Sequence, residues 1–211
     1  MGFEVDLLLV KRALISVYDK TGLEKLIKAL ANYGAEFISS GGTAKRIREL
    51  GYEVIEVSEY TGYPEMPEGF VKTLHPKIHA GILGNASDPR QRKYMERLGI
   101  KPIDFLVVNF YPFEEASRTL TSLKDVVKNI DVGGPAMVRA AAKASLLHGE
   151  TTVVSSPQQY DAVIKELEKG GGEVSLNLKR KLALEAFVTT WRYDEAIKDF
   201  LIKKLGEFDG A

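Results

Sequence analysis

The sequence of 211 residues contains no cysteine. A chain without cysteine has no disulfide scaffold, no cysteine nucleophile and no thiolate ligands for zinc or an iron–sulfur cluster. Any chemistry must therefore depend on Lys, Asp, Glu, Tyr, Ser, Thr or His side chains, or on backbone groups. The length is sufficient to bury a hydrophobic core without a metal ion or a covalent cross-link.

The sequence also lacks an excess of charge and a long apolar run. Lys and Arg number 29, as do Asp and Glu, so the formal net charge is zero. Proteins that bind nucleic acids or membrane surfaces need a positive field, so we expect neither partner. The longest apolar runs, 7–10 and 105–108, fall far short of the roughly 20 residues that span a bilayer. No targeting segment is evident, and we expect a cytoplasmic protein.

Three common motifs are absent as well. No G-x-G-x-x-G follows a strand-like segment, and neither G-x-x-x-x-G-K-[ST] nor G-x-S-x-G occurs. Their absence excludes the simple dinucleotide-binding, P-loop and serine-hydrolase classes.

The order of the apolar segments predicts an α/β fold. Short β-branched segments at 13–18, 35–39, 52–57, 103–110 and 151–155 predict strands, and amphipathic segments at 19–34, 44–51, 90–98, 157–168 and 176–205 predict helices. Near-continuous apolar strands separated by helices indicate a parallel sheet covered on both faces, with a helical C-terminal addition. Residues 58–87, rich in Gly and Pro, predict an irregular functional region. We expect one domain over 12–205, an N-terminal extension at 1–11 and a tail at 206–211.

The first candidate site is the segment Ser39-Ser40-Gly41-Gly42-Thr43, between a predicted strand and a predicted helix. Glycines let the backbone approach an anion, while hydroxyls and helix N-terminal N–H groups donate to it. Ser16, Lys20 and Thr21 follow the first predicted strand and would lie at the same edge of the sheet. This arrangement favours a phosphate site. The alternative is a tight turn in which Thr43 caps the helix.

The second candidate lies in the predicted irregular region. His75 and His79 have the i,i+4 spacing of a metal pair, but Pro76 disfavours a helical conformation at His75 and no Glu lies between them. We therefore expect no metal site. Lys72 and Thr73 are candidate binding residues because an irregular segment gives a lysine no packing role. The alternative is a solvated Lys72.

The third candidate is Asn109 and Tyr111, at the end of the most apolar predicted strand. Polar groups at this point lie at the same binding edge of a parallel sheet. The alternative is that Tyr111 and Phe113 simply cover the core.

The fourth candidate combines a helix start with charged residues. The run Gly133-Gly134-Pro135 predicts a helix N-terminus, and Asp131 stands just before its free N–H groups, which could form an oxyanion hole. Arg139 and Lys143 lie four residues apart and share a helix face. The alternative is an exposed helix with a solvated Lys/Arg stripe.

Together these motifs resemble the IMP cyclohydrolase domain of bifunctional purine-biosynthesis enzymes, which also carry AICAR formyltransferase. The resemblance covers about residues 12–205 and rests on SVYDKTGL, SGGTAKRIRELG, VKTLHPKIHAGIL, NFYPF, IDVGGPAMVRAAAK and YDEAI. It implies a methylglyoxal-synthase-like three-layer fold and a homodimer. It also implies ring closure of 5-formamidoimidazole-4-carboxamide ribotide (FAICAR) to IMP with loss of water, the last step of de novo purine biosynthesis, without a metal or organic cofactor.

The resemblance implies four catalytic residues. Lys143 would donate and accept protons, Asp131 would accept or orient the amide N–H, and Lys72 and Tyr111 would stabilise charge on oxygen. We expect Lys143 to be buried, because burial favours the neutral form of a lysine. The implied substrate-binding residues are Ser16, Tyr18, Lys20, Thr21, Ser40, Gly41, Gly42, Thr43, Phe70, Val71, Thr73, Val108, Asn109, Val132, Gly133 and Gly134.

Three positions depart from the family pattern. Phe70 stands where many members have Arg, which puts one substrate-binding cation in doubt. Tyr18 replaces a common Ser in the first loop, at the phosphate end. Ala144 replaces the usual Asn, which weakens polar support for the neighbouring lysine.

Two other functions fit parts of the sequence. A methylglyoxal synthase would share the fold and an SGGT-like phosphate site, but the extra length and the DVGG–RAAAK helix are against it. A non-catalytic nucleotide sensor would bind IMP without turnover. Because 211 residues leave no room for a formyltransferase domain, we expect no folate site and that activity on a separate protein or a missing segment.

Overall fold

A computed structural model describes residues 12–111, 113–119 and 122–206, without the side chains of residues 114 and 116. The predicted extension at 1–11 and all of the predicted tail except Gly206 lie outside the described residues.

The described residues form a five-stranded parallel sheet in the order β3-β2-β1-β4-β5. The strands are β1 (Arg12–Val17), β2 (Glu36–Ser39), β3 (Ile55–Glu56), β4 (Phe105–Asn109) and β5 (Thr152–Val154). The predicted parallel sheet is confirmed. The predicted strand at 52–57 is too long, because β3 pairs with β2 only through Ile55 and Glu56 at the edge of the sheet.

Helices connect and cover the strands. They are α1 (Leu23–Asn32), α2 (Gly41–Glu49), α3 (Val57–Thr61), α4 (Pro76–Leu83), α5 (Pro89–Arg97), α6 (Phe113–Thr119), α7 (Leu123–Lys128), α8 (Gly133–Leu147), α9 (Tyr160–Lys169) and α10 (Leu176–Leu205). The irregular region predicted at 58–87 contains α4 and most of α3, and the sequence did not predict α6 or α7. Helix α2 begins at Gly41 rather than near residue 44.

Both faces of the sheet are covered, as the apolar strands predicted. Ala13, Leu14 and Ile15 are consecutive in β1 and are all fully buried. Since consecutive side chains of a strand point to opposite faces, neither face of β1 meets solvent. Helices α1 and α9 pack together, while α8 packs against α4 and α10. No helix within the described ranges is both long and apolar enough to cross a membrane.

The strand order creates a crevice at the centre of the sheet. The chain proceeds outward from β1 through β2 to β3, and then returns to the other side of β1 for β4 and β5. At such a switch point the connections leave neighbouring strands in opposite directions, which opens a crevice beyond their carboxyl ends. Here the crevice lies beyond Val17 and Asn109, which are aligned in the β1–β4 register.

The long helix α10 is attached to this edge by a second, small core. Phe113 of α6, Val126 of α7 and Tyr193 of α10 are buried together, apart from the main core. Phe113 and Val126 thus attach α6 and α7 to the C-terminal helix.

Candidate active site

A cleft of about 400 Å³ opens at the switch point between β1 and β4. Its wall combines the loops after β1 and β4, the first turn of α2, the segment before α4 and the start of α8. The predicted site residues that line it are Ser16, Tyr18, Lys20, Ser40, Gly42, Thr43, Phe70, Lys72, Thr73, Asn109, Tyr111, Asp131, Val132, Gly133 and Gly134. The four candidate motifs therefore meet in one place.

The remaining predicted residues do not line this cleft. Thr21 and Gly41 are exposed beside it, and Val71 lines an adjoining cavity of about 230 Å³. Val108 is buried in the core under the sheet edge. Lys143 lies on the surface of α8.

One end of the cleft carries a buried hydroxyl without a partner. Ser40 is the N-cap of α2 and is 8% exposed, and its Oγ has no hydrogen-bond partner among the described residues. A buried polar atom without a partner costs free energy, which a ligand oxygen bound at Oγ would recover. The first N–H groups of α2 also lack partners within the helix. This end is suited to an anion such as a phosphate.

Thr43 joins this end of the cleft to the sheet. Its Oγ1 donates to the carbonyl oxygen of Val17 at 3.0 Å and accepts the N–H of Val17 at 3.2 Å. Thr43 therefore extends the hydrogen bonding of β1 beyond the strand. The alternative in which Thr43 caps α2 is wrong, because Ser40 occupies the capping position.

Asn109 shapes the loop that follows β1. Its Oδ1 accepts the N–H groups of Tyr18 and Asp19 at 2.8 and 2.9 Å, and its Nδ2 donates to the carbonyl oxygen of Asp19 at 2.9 Å. Lys20 Nζ lies on the same loop and donates to the carbonyl oxygens of Val17 and Tyr18 at 3.2 and 3.3 Å. The Asn109 side chain thus fixes the backbone of the loop after β1, beside the ammonium group of Lys20.

Lys72 is the cation between the cleft and the adjoining cavity, since it lines both. Its side chain is 33% exposed, and its Nζ is 3.7 Å from Oε1 of Glu65. The ammonium group is also close enough to Asp131 to lower the pKa of that carboxyl. Lys72 is therefore partly shielded from solvent and paired with Glu65, and its charge also acts on Asp131.

Asp131 is the most constrained acidic group of the cleft. Its Oδ1 accepts the N–H of Gly134 at 2.8 Å, in the first turn of α8. Burial raises the pKa of Asp131, and the Gly134 N–H and the Lys72 ammonium only partly oppose that rise. A carboxylate with a raised pKa is a better proton acceptor than an ordinary aspartate at the same pH.

Aromatic rings complete the wall of the cleft. Tyr111 and Tyr18 meet edge to face, with ring centroids 4.7 Å apart. Tyr111 therefore contacts a residue of the cleft rather than only covering the core. Phe70, which stands where the family pattern has Arg, is 52% exposed and adds an apolar ring without charge.

Comparison with protein-family models gives a match to the MGS-like domain over residues 22–136, more than half of the chain. The chain belongs to the MGS-like domain family. A second model, described as the AICARFT/IMPCHase bienzyme, matches residues 141–210. The MGS-like match thus covers most of the cleft, and the second match covers α10 and the C-terminal half of α8.

The relatives of this MGS-like chain include much longer proteins. The bifunctional purine biosynthesis protein PurH of Mesorhizobium japonicum is 48% identical over 200 residues, which are 95% of this chain and 37% of that protein. PurH of Persephonella marina is 48% identical over 196 residues, 93% of this chain and 37% of that protein. The chain thus spans little more than a third of the length of these relatives.

A solved structure supports the MGS-like fold. The crystal structure of ForH matches with a TM-score of 0.76 and 31% sequence identity. The match covers 90% of this chain and 98% of the ForH chain.

Lys143 of this MGS-like chain is exposed, although we expected it to be buried. It follows Gly133 by ten residues of α8, which corresponds to about 15 Å along the helix axis. The neighbouring Ala144 is fully buried against the domain. Within a single chain, Lys143 therefore does not join Asp131 in the cleft.

The two histidines of the candidate metal pair have separate roles. His75 is the extended N-cap of α4, as Pro76 predicted, and its Nδ1 accepts the N–H of Lys77 at 3.1 Å. His79 lies one turn inside α4, where burial lowers its pKa. No group of three or more His, Asp or Glu side chains that could hold a metal ion occurs among residues 12–111, 113–119 and 122–206.

Sequence reasoning missed six residues of this site. Four of them line the cleft, namely Val17, Gly69, Ile130 and Met137. The other two are Glu65, which pairs with Lys72, and Tyr193, which contacts Asp131. Helical spacing from Gly133 could have indicated Met137. No local pattern could have indicated Tyr193, which comes from α10.

Proposed function

We propose that this chain is an IMP cyclohydrolase, which closes the ring of FAICAR to form IMP and water. The observation that carries the proposal is one cleft that holds an unpartnered Ser40 hydroxyl at a helix N-terminus and a half-buried carboxylate near an ammonium, Asp131 and Lys72. The bienzyme match and the PurH relatives support the same reaction class.

In this proposal the substrate phosphate binds at the Ser40 end of the cleft. The unpartnered Ser40 hydroxyl and the first N–H groups of α2 donate to it. Lys20 turns from the loop carbonyl oxygens toward the phosphate, because a charge-assisted bond to an anion is stronger than a bond to a neutral carbonyl.

Ring closure then takes place at the Asp131 end. The carboxamide nitrogen attacks the formyl carbon, a C–N bond forms, and Asp131 accepts the proton that leaves nitrogen. Lys72, Tyr111 and the N–H groups at the start of α8 stabilise the charge on the formyl oxygen. A proton donor then converts the hydroxyl of the carbinolamine into water. The water departs as the former formamido nitrogen gives up its proton, which forms the C=N bond of the purine.

Much of the rate acceleration would come from geometry. Asn109 and Thr43 hold the backbone of the loop after β1, which forms part of the cleft wall, through several hydrogen bonds. A rigid wall can hold the carboxamide and formyl groups in contact, which removes the entropy cost of bringing them together. The AICAR formyltransferase reaction, which makes the formylated substrate, would belong to a segment or protein outside these 211 residues.

The test is to supply FAICAR to the purified chain and follow IMP by its absorbance. Asp131→Asn and Lys72→Ala should each lower kcat about 10²–10⁴-fold, the range of acid–base and charge-stabilising groups. Lys165→Ala, an exposed lysine of α9, is the matched control and should retain wild-type activity. IMP binding without turnover would indicate a sensor, and release of orthophosphate from dihydroxyacetone phosphate would indicate a methylglyoxal synthase. Either result would refute the proposal.

We further propose that Lys143 acts in the predicted homodimer, on the cleft of the second copy. Lys143 is exposed in the single chain, and Leu146 and Leu147 on the same helix are also exposed. Helix α10 presents Leu184, Phe187 and Trp191 to solvent at i, i+3 and i+7. Large exposed apolar side chains of this kind are typical of surfaces that another protein covers.

A mixing experiment tests this arrangement. Lys143→Ala and Asp131→Asn chains should each be inactive alone. Random mixing should restore about a quarter of the wild-type activity, because half the dimers are mixed and each contains one intact site. Full activity of Lys143→Ala alone would contradict any catalytic role for this lysine, and no recovery on mixing would contradict its action across the dimer.

A further inference from the structure

A hydrogen bond links the C-terminal helix to the backbone of Asp131. The N–H of Asp131 donates to the hydroxyl oxygen of Tyr193 at 2.8 Å, across 62 positions of sequence. Asp131 lies in the connection between α7 and α8, while Tyr193 belongs to α10. The hydroxyl therefore fixes the connection at the residue whose carboxylate faces the cleft.

The environment of Tyr193 separates the role of its ring from the role of its hydroxyl. The ring is 8% exposed, and its centroid lies 5.1 Å from that of Phe110 and 6.3 Å from that of Phe113. This small core is apolar, and a phenylalanine would fill the same space. The hydroxyl consequently contributes little to packing, and its described partner is the Asp131 N–H.

The carboxylate of Asp131 also lies close to Gly134 and Phe110. A Cβ at Gly134 would lie 2.5 Å from Asp131 Oδ2 and 2.8 Å from Cδ1 of Phe110, so these three residues are in close contact. The residue after Tyr193, Asp194, forms an ion pair with Arg139 of α8. The same turn of α10 thus contacts both the residue before the start of α8 and the helix itself.

We propose that Tyr193 is a positioning residue for Asp131: its hydroxyl holds the Asp131 backbone and so sets where the carboxylate stands in the cleft. Asp131 has a second anchor through Gly134, but that bond restrains only the end of the side chain. Without the Tyr193 hydroxyl, the backbone of Asp131 is free to shift while the fold and the phosphate end remain intact. The expected effect on turnover rests on the proposed function, whereas the effect on the Asp131 backbone does not.

Tyr193→Phe tests the proposal, and Tyr60→Phe is a matched control. Tyr60 is also 8% exposed, and its hydroxyl accepts the N–H of Lys101 at 3.3 Å and donates to the carbonyl oxygen of Lys101 at 3.2 Å, but it does not line the cleft. Both variants should lose thermal stability, and Tyr60→Phe should lose at least as much as Tyr193→Phe because it removes two hydrogen bonds. Only Tyr193→Phe should lower kcat, by about tenfold or more, because a misplaced catalytic group is costly. Its KM for FAICAR should change less than about twofold, because the phosphate end is untouched.

A purely structural role for Tyr193 predicts a different result. In that case both variants would show equal kcat values per folded molecule, or the loss of activity in Tyr193→Phe would match its loss of folded fraction, and the proposal would be overturned. A wild-type chain without turnover would refute the proposed function but not this inference.

Hydrogen exchange provides a readout that needs neither turnover nor a variant that folds well. In the wild-type chain the Asp131 amide should exchange slowly although it lies outside the helices, because its N–H is buried against Tyr193. In Tyr193→Phe the exchange of this amide should accelerate about tenfold or more while amides of β1 and β4 stay protected. Fast exchange in the wild type would overturn the inference.

Discussion

The close approach of Gly134 to Asp131 leads to a sharp prediction for Gly134→Ala. A Cβ at this position would lie 2.5 Å from Asp131 Oδ2 and 2.8 Å from Phe110 Cδ1. Real Cβ atoms essentially never come closer than 3.0 Å, so at least one of these groups must move by several tenths of an ångström. Phe110 is packed against Tyr193, which leaves the carboxylate as the group that moves more easily.

The size of the effect follows from this displacement. Misplacing a catalytic group by about 1 Å costs about 10²-fold in rate, so a smaller shift of Asp131 should lower kcat about 10–100-fold. The free energy of unfolding should change by a smaller amount than the activation free energy. An overpacking cost of about 1–3 kcal/mol is partly offset by the higher helix propensity of Ala, about 1 kcal/mol. FAICAR turnover and urea denaturation measure the two effects separately.

Gly84→Ala is the steric control. A Cβ at Gly84 would lie 2.6 Å from Sδ of Met95 and 2.7 Å from the carbonyl oxygen of Ala80, outside the cleft. This variant should lose stability with kcat per folded molecule unchanged. Wild-type kcat in Gly134→Ala, or an equal loss in both variants, would refute the reasoning that the Gly134 contact positions Asp131.

Three further predictions concern stability. Burial raises the pKa of Asp131 above its ordinary 3.8, so its contribution to stability is lost as the pH rises through the folded-state value. Asp131→Asn should therefore stabilise the chain more near pH 7 than near pH 3 in urea denaturation, and equal effects would contradict this. Thr43→Val removes both hydrogen bonds to Val17 and should cost about 1–3 kcal/mol and raise KM; unchanged stability would show that these bonds are replaced. Tyr160→Phe should change the free energy of unfolding by less than about 1 kcal/mol, because burial raises the pKa of Tyr160 to about 12 and its hydroxyl has no partner among the described residues. A larger loss of stability would show that the Tyr160 hydroxyl has a hydrogen-bond partner.

The strands and the position of the cleft were predictable because their signals are local. Apolar, β-branched runs such as Phe105–Asn109 must be buried on both faces, and this requirement predicts parallel strands between helices. Once the strands are parallel, the polar residues that follow them must share an edge. Ser40 and Asn109 could thus be assigned to one site before any coordinates, whereas Asp131 was assigned to it by the family resemblance.

Local signals did not extend to the short helices or to the side-chain pairs. Helices α6 and α7 are too short for periodicity to distinguish them from loops, and β3 is limited by its position at the sheet edge. The pair between Glu65 and Lys72 is accompanied by positive φ angles at Glu68 and Gly69, a backbone path that sequence spacing does not reveal.

The sequence by itself determined the α/β class, the motifs at the carboxyl edge and the resemblance from which the reaction was inferred, because these depend on residue type and order. Only the tertiary structure decided that Lys143 is exposed in one chain while Asp131 is half-buried near Lys72. Likewise, only the packing of α10 brought Tyr193 to the Asp131 backbone. The physical reason is that burial and hydrogen bonds between distant residues depend on how the helices pack. The amino-acid pattern of a single helix does not specify which neighbour covers each of its faces.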